Sequence, residues 1–195
     1  MKILIVTDSF KGSLSSLEAG NAIADGIRRA SMPAEIQVSP IADGGEGTTE
    51  ALVNGLSGYL ETVTVSDPLG RKQTANYGIL PSGTAVIEMA AAAGLPLLSE
   101  SKRNPLYTTT FGVGEMIADA IAKGCRKFII GIGGSATNDG GVGCLQALGF
   151  SFRNADDTEI PCGAVGLSQL QKITAENVLP ELSACTFQVA CDVTN

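Results

Sequence analysis

The sequence predicts an α/β fold, a parallel sheet with covering helices, and three observations carry that prediction. Short apolar runs at residues 2–6, 36–39, 84–88 and 128–132 have the length and β-branched character of buried strands. The first two runs each lead into a polar loop and then a helix-like segment, the order that builds a parallel sheet. Val113, Met116, Ile117, Ala120 and Ile121 recur at helical spacing, giving one apolar helix face.

Element by element, residues 2–6 form a buried strand too short for a signal-peptide core or a membrane span. The helix over Ser16–Arg29 follows, because Ser15 and Glu18 have capping-box spacing and Pro33 stands beyond its end. A second strand over 36–39 leads through the loop 40–47 into a short helix over 48–54. The pattern then changes. Val63, Val65, Ala75, Tyr77 and Ile79 lie at period two around the turn Asp67-Pro68-Leu69-Gly70, which reads as antiparallel strands. A second domain is therefore expected to begin near residue 60, dividing the chain into 1–60 and 61–195. A strand over 84–88, a helix over 113–121 capped by Gly124, a strand over 128–132, a helix through Leu145 ending at Gly149 and a strand over 187–193 complete the reading. The chain stops just after a strand, where a parallel sheet would continue into a crossover, so the expectation is a piece of a longer protein.

Composition narrows the chemistry. The net charge of −7 opposes nucleic-acid binding, which needs a basic footprint. There is no histidine, so any general base is a carboxylate, lysine, cysteine or tyrosine. Five cysteines without a CxxC pair fit a reduced, cytoplasmic protein.

Three loops follow apolar strands, and ligands in open α/β sheets bind outside the carboxyl ends of strands. Asp8 and Lys11, Asp43 and Glu46, and Asn138 and Asp139 are thus expected to converge on one crevice, with Asp192 at a fourth strand end. Phosphoryl transfer uses these residue types: carboxylates for Mg²⁺, a lysine against phosphoryl charge, backbone amides for phosphate oxygens, and a carboxylate to take the hydroxyl proton. The loop Gly133-Gly134-Ser135-Ala136-Thr137-Asn138-Asp139 offers amides with few bulky side chains in the way. Each residue also has a plainer use. Asp8 and Asp43 suit turn or helix capping, Lys11 a solvated surface, and Thr108–Thr110 the start of a helix. Asp67 is explained by its own turn. The P-loop GxxxxGK[ST] is absent. Gly131-Ile132-Gly133-Gly134-Ser135-Ala136 matches the GxGxxA dinucleotide pattern, which leaves an NAD-dependent oxidoreductase as one alternative and a non-catalytic ligand-binding fragment as another.

In order along the chain stand Asp8-Ser9-Phe10-Lys11-Gly12-Ser13, Pro40-Ile41-Ala42-Asp43-Gly44-Gly45-Glu46-Gly47-Thr48, Asp67-Pro68-Leu69-Gly70-Arg71 and Glu88-Met89-Ala90-Ala91-Ala92-Ala93-Gly94-Leu95. They continue with Thr109-Thr110-Phe111-Gly112-Val113-Gly114-Glu115, Gly131 through Gly141, and Cys191-Asp192-Val193-Thr194-Asn195. In these segments the chain resembles the type I glycerate kinases of bacteria. The resemblance implies phosphorylation of D-glycerate to 2-phosphoglycerate with ATP and Mg²⁺, in a cleft between an α/β domain and a second, inserted α/β domain. It makes Asp8, Lys11, Asp43 and Asp192 catalytic candidates, with Asp192 as base, Lys11 as charge neutraliser, and Asp43 and Asp192 at the metal. It assigns Gly133, Gly134, Ser135, Thr137, Asn138 and Asp139 to the nucleotide, and Ser9, Glu46 and Arg71 to the substrate. Members of the family are about twice as long, so the resemblance also implies a missing half that completes the first domain. It leaves the oligomeric state open.

Overall fold

A computed structural model describes residues 1–10, 12–30, 33–41 and 43–191. Lys11 and Asp192 lie outside the described residues. The fold class is α/β, as predicted. Strand β1 (Lys2–Thr7) pairs in parallel with β2 (Glu35–Pro40), and α1 (Ser16–Arg29) forms the crossover between them. The capping box is present: the Ser15 hydroxyl accepts from the Glu18 amide, and the Glu18 carboxylate accepts from the Ser15 amide at 2.8 Å. Helix α2 (Thr48–Gly55) follows the second loop.

The main sheet has five strands in the order β3 (Tyr59–Ser66), β4 (Lys72–Ile79), β5 (Thr84–Glu88), β6 (Lys127–Gly131) and β9 (Thr186–Ala190). β3, β4 and β5 run antiparallel, whereas β5, β6 and β9 run parallel. The period-two residues of β4 explain its place: Ala75, Tyr77 and Ile79 all point into the core. Short α3 (Ala90–Ala93) and longer α4 (Phe111–Ala122) cover one face, and Val113, Met116, Ile117, Ala120 and Ile121 are all buried there, as their spacing predicts. α2 lies over β4 and β5 on a separate small core of Val53, Leu80 and Val86. Phe187 of β9 stacks on Phe128 of β6 with ring centroids 4.8 Å apart.

The helix read through Leu145 to an end at Gly149 is α5 (Val142–Ala147), with Gly149 at φ +100° just beyond it. One feature departs from the sequence reading. A hairpin-like pair, β7 (Ser151–Arg153) and β8 (Lys172–Thr174), stands apart from the main sheet with α6 (Ala164–Leu167) between them. Strands of three residues are too short to show a period. No helix among the described residues is long and apolar enough to cross a membrane.

Candidate active site

The second and third predicted loops meet at the carboxyl ends of β5, β6 and β9. The Gly133 amide donates to the Gly44 carbonyl at 3.1 Å, and the Met89 amide to the Gly131 carbonyl at 2.8 Å. The approach is backbone against backbone. A Cβ on Gly133 would stand 2.6 Å from the Gly45 Cα, and one on Gly44 would stand 2.5 Å from the Ala190 carbonyl oxygen. The contact between the loops thus explains Gly131 and Gly133, whereas Gly47, Gly140 and Gly141 have open space around a Cβ and instead hold positive φ.

The first turn of α2 is a wall between two cavities of about 550 Å³ each. Glu46, Gly47, Thr49 and Glu50 face one, with Ser9 and Glu88 across from them. Asp43, Thr48 and Leu52 face the other, together with Ala190 and Cys191. Ser9 and Glu46 therefore share the first cleft. Asp43 lies on the far side of the wall, in the cavity lined by Cys191, the residue before Asp192. Asp8 is exposed, and its Oδ1 accepts the Ser9 amide at 2.7 Å. Asp43 is also exposed and takes the Gly45 amide at 2.9 Å.

The Gly133–Asp139 loop divides its groups. The amides of Gly133, Ala136 and Thr137 are engaged internally, by Gly44, Ala93 and the Ser135 hydroxyl. The Ser135 and Thr137 hydroxyls bond each other at 2.8 Å, and Asn138 and Gly134 are exposed. Asp139 points the other way. Only 1% exposed, it accepts from the Thr109 hydroxyl, the Thr110 amide and hydroxyl, and the Gly141 and Gly143 amides, at 2.8–3.3 Å. It ties this loop to the first turns of α4 and α5. Sequence reasoning had paired it with Asn138 as ligand-facing; its partners are all protein groups. Burial and then the Asp139 charge push the neighbouring Cys144 thiol up to about 12, which favours its neutral form.

Arg71 sits in the turn rather than in either cavity. Its side chain and amide bind the Asp67 carboxylate, with Arg71 Nε to Asp67 Oδ2 at 2.6 Å. Burial pushes the Asp67 carboxyl up, but the Arg71 and Leu69 hydrogen bonds outweigh it and hold the pKa below the ordinary value.

Glu88 is the site residue that sequence reasoning did not single out. Its signal was an acid ending an apolar strand, Thr-Ala-Val-Ile-Glu, since a charge at a strand's carboxyl end in such sheets stands where ligands bind. Its Oε1 accepts the Thr49 amide at 2.6 Å. Burial raises its pKa above the ordinary 4.5, against the opposing pull of the Thr49 and Gly47 hydrogen bonds. The protonated form is thus favoured by folding. Its contribution to stability is full below pH 4.5 and is lost as pH rises through the raised value. Glu88→Gln should unfold level with the wild type in acid and at a higher temperature at neutral pH. A gap in thermal midpoint that stays constant across pH would contradict this.

Residues 3–195 match the model of the glycerate kinase family. The chain belongs to the glycerate kinase family. It is 47% identical to a glycerate kinase of Haemophilus influenzae and 48% identical to a glycerate 2-kinase of Escherichia coli, covering all of this chain and 52% and 51% of theirs. A crystal structure assigned to glycerate kinase 2 of Salmonella typhimurium LT2 superposes with a TM-score of 0.87 at 48% identity, over all of this chain and 52% of that one. The chain thus spans about half the length of the curated relatives it matches. Membership in this kinase family removes the oxidoreductase alternative. The local geometry agrees: the first helix after the GxGxxA segment begins only at Val142, too late to set its N-terminus on a pyrophosphate there.

Proposed function

We propose that this glycerate kinase family chain phosphorylates D-glycerate to 2-phosphoglycerate with ATP and Mg²⁺. The observation that carries this reading is the family match over residues 3–195. The cleft of Ser9, Glu46 and Glu88 offers a place for the substrate. Glu18, Glu46, Glu50 and Glu88 line it, and none of its described lining residues is basic. An anionic acid and a triphosphate need compensating cations in such surroundings. Lys11, which stands in sequence between the lining residues Phe10 and Gly12, and a divalent metal would supply them.

Among the described residues no three acids or cysteines gather as a cation cage. Mg²⁺ requires less, since one or two carboxylates plus substrate phosphates hold it. Asp43 and Asp192 would be those carboxylates, and Asp43 shares its cavity with Cys191, the neighbour of Asp192 in sequence. The metal would neutralise charge on the transferring phosphoryl group. Asp192 would take the proton of the attacking hydroxyl as its oxygen bonds to the γ-phosphorus and ADP leaves. The Ser135–Asn138 side of the third loop would face the nucleotide. Support for a protein assembled from two halves comes from Leu4 and Val6 of the two-stranded sheet, which are 61% and 49% exposed. Residues 1–60 would be completed by the other half of a family-length chain, with 61–195 as the second domain.

ADP release coupled to D-glycerate tests the reading, with ATP and with or without Mg²⁺, on this chain and on a family-length one. Release should require both glycerate and metal. Lys11→Met should lower kcat roughly 100-fold or more, with a thermal melt run beside it to separate lost catalysis from lost fold. A family-length chain that leaves glycerate untouched would refute the assignment.

A further inference from the structure

Helix α2 has no side-chain cap from its N-cap residue, and of its first two amides the Thr48 N–H finds the Gly45 carbonyl at 3.3 Å. Its N-cap is Gly47, at φ +91°, with no side-chain hydrogen bond to the first turn. The orphan amides of a helix start must find acceptors elsewhere. Glu88 provides one from 39 residues away, across the gap between the end of β5 and the α2 first turn. The neighbouring backbone is close-fitting: a Cβ on Gly78 of β4 would stand 2.5 Å from the Val53 side chain and 3.2 Å from that of Thr49, so the helix sits directly on the sheet. Just before this turn comes the loop carrying Asp43 and Glu46, which packs against Gly131 and Gly133. The wall between the two cavities is thus held at its base by the sheet, and at its start by Thr48 bonded to Gly44 and Gly45 of the preceding loop and by the Glu88 carboxyl, which joins the turn to β5.

We infer that Glu88 is a positioning residue of the cleft: from the end of β5 it clamps the Gly47–Thr49 turn and so sets where Glu46 and Asp43 stand. The role does not depend on which ligand the cleft takes. Only its kinetic readout rests on the glycerate kinase reading.

Gln keeps an oxygen acceptor for the Thr49 amide, and Ala removes it, so the pair Glu88→Gln and Glu88→Ala separates the clamp from the charge. Hydrogen exchange measured on this chain reads the clamp without any activity. Glu88→Ala should speed exchange at Thr49 and its neighbours in the α2 first turn about 10-fold, the size of a lost cap, while Glu88→Gln stays near wild type. On a chain that turns over glycerate, Glu88→Ala should lose about 30- to 100-fold in kcat/KM, as misplacement of site groups by an ångström does. Glu88→Gln should restore most of that loss. Unchanged exchange in Glu88→Ala would overturn the clamp whether or not the chain is a glycerate kinase. So would equal kinetic loss in both variants, since the charge itself would then be what matters. A failure of glycerate turnover in the wild type counts against the proposed function alone, because the exchange result still decides the clamp.

Discussion

Asp139→Ala should unfold this protein far more readily than any surface change, with a loss of about 3–5 kcal/mol. The side chain is buried, and five protein donors converge on its two oxygens. Alanine would strand the Thr110 and Gly143 amides and both threonine hydroxyls in a space with no other acceptor in place. Each buried group left without a partner costs about 1–3 kcal/mol, reduced in sum where the loop relaxes. For a domain of this size the melting temperature should fall roughly 10 °C or more. Asn is no rescue, because it turns one acceptor into a donor that faces other donors. Urea denaturation of wild type, Asp139→Ala and Asp139→Asn checks the claim. A midpoint shift no larger than that of an exposed variant such as Asn138→Ala would show that the network carries little.

Gly133→Ala should disable the site with less harm to the fold. The added methyl would stand 2.6 Å from the Gly45 Cα, 3.2 Å from the Gly45 nitrogen and 3.3 Å from the Gly44 oxygen. All three are backbone atoms, and no rotamer change removes them from the path. One of the two loops must move, and the Gly133–Gly44 hydrogen bond goes with it. The cost in stability is of overpacking size, about 1–3 kcal/mol. The cost in function is larger, because the displaced loop carries Asp43 and Glu46, and an ångström of misplacement costs about 100-fold. Glycerate-dependent ADP release beside a thermal melt would show the two effects separately. Gly26→Ala, in α1 and outside the left-handed region like Gly133, where a Cβ meets nothing within 4 Å, controls for loss of a glycine without the backbone clash. Activity retained in Gly133→Ala would mean that the two loops act independently.

Much of this protein was determined by the sequence alone, because the signals involved are local. A capping box is read over four residues, and Ser15 and Glu18 placed the start of α1 where the structure has it. The α4 face follows from a 3.6-residue period, and the β3–β4 pair from a period of two around one turn. The order of strand, loop and helix gave the fold class, and seven ordered segments pointed to the family that the matched relatives confirm.

The tertiary structure alone decided which way the polar groups of these loops face. Asn138 and Asp139 are neighbours in sequence, yet one is exposed and the other is sealed beneath two helix starts. Nothing within the loop distinguishes them, since the donors that Asp139 satisfies come in part from Thr109 and Thr110, about thirty residues upstream. The same holds for Glu88, whose partner lies on α2, and for Arg71, which a turn carboxylate claims. It also holds for the pairing of β9 with β6 and for the placing of Asp43 and Glu46 on opposite sides of one helical turn. A side chain's type and spacing say what chemistry it can do. Whether it does so depends on which distant groups fold against it, because a buried donor must find its acceptor wherever the chain brings one within about 3 Å.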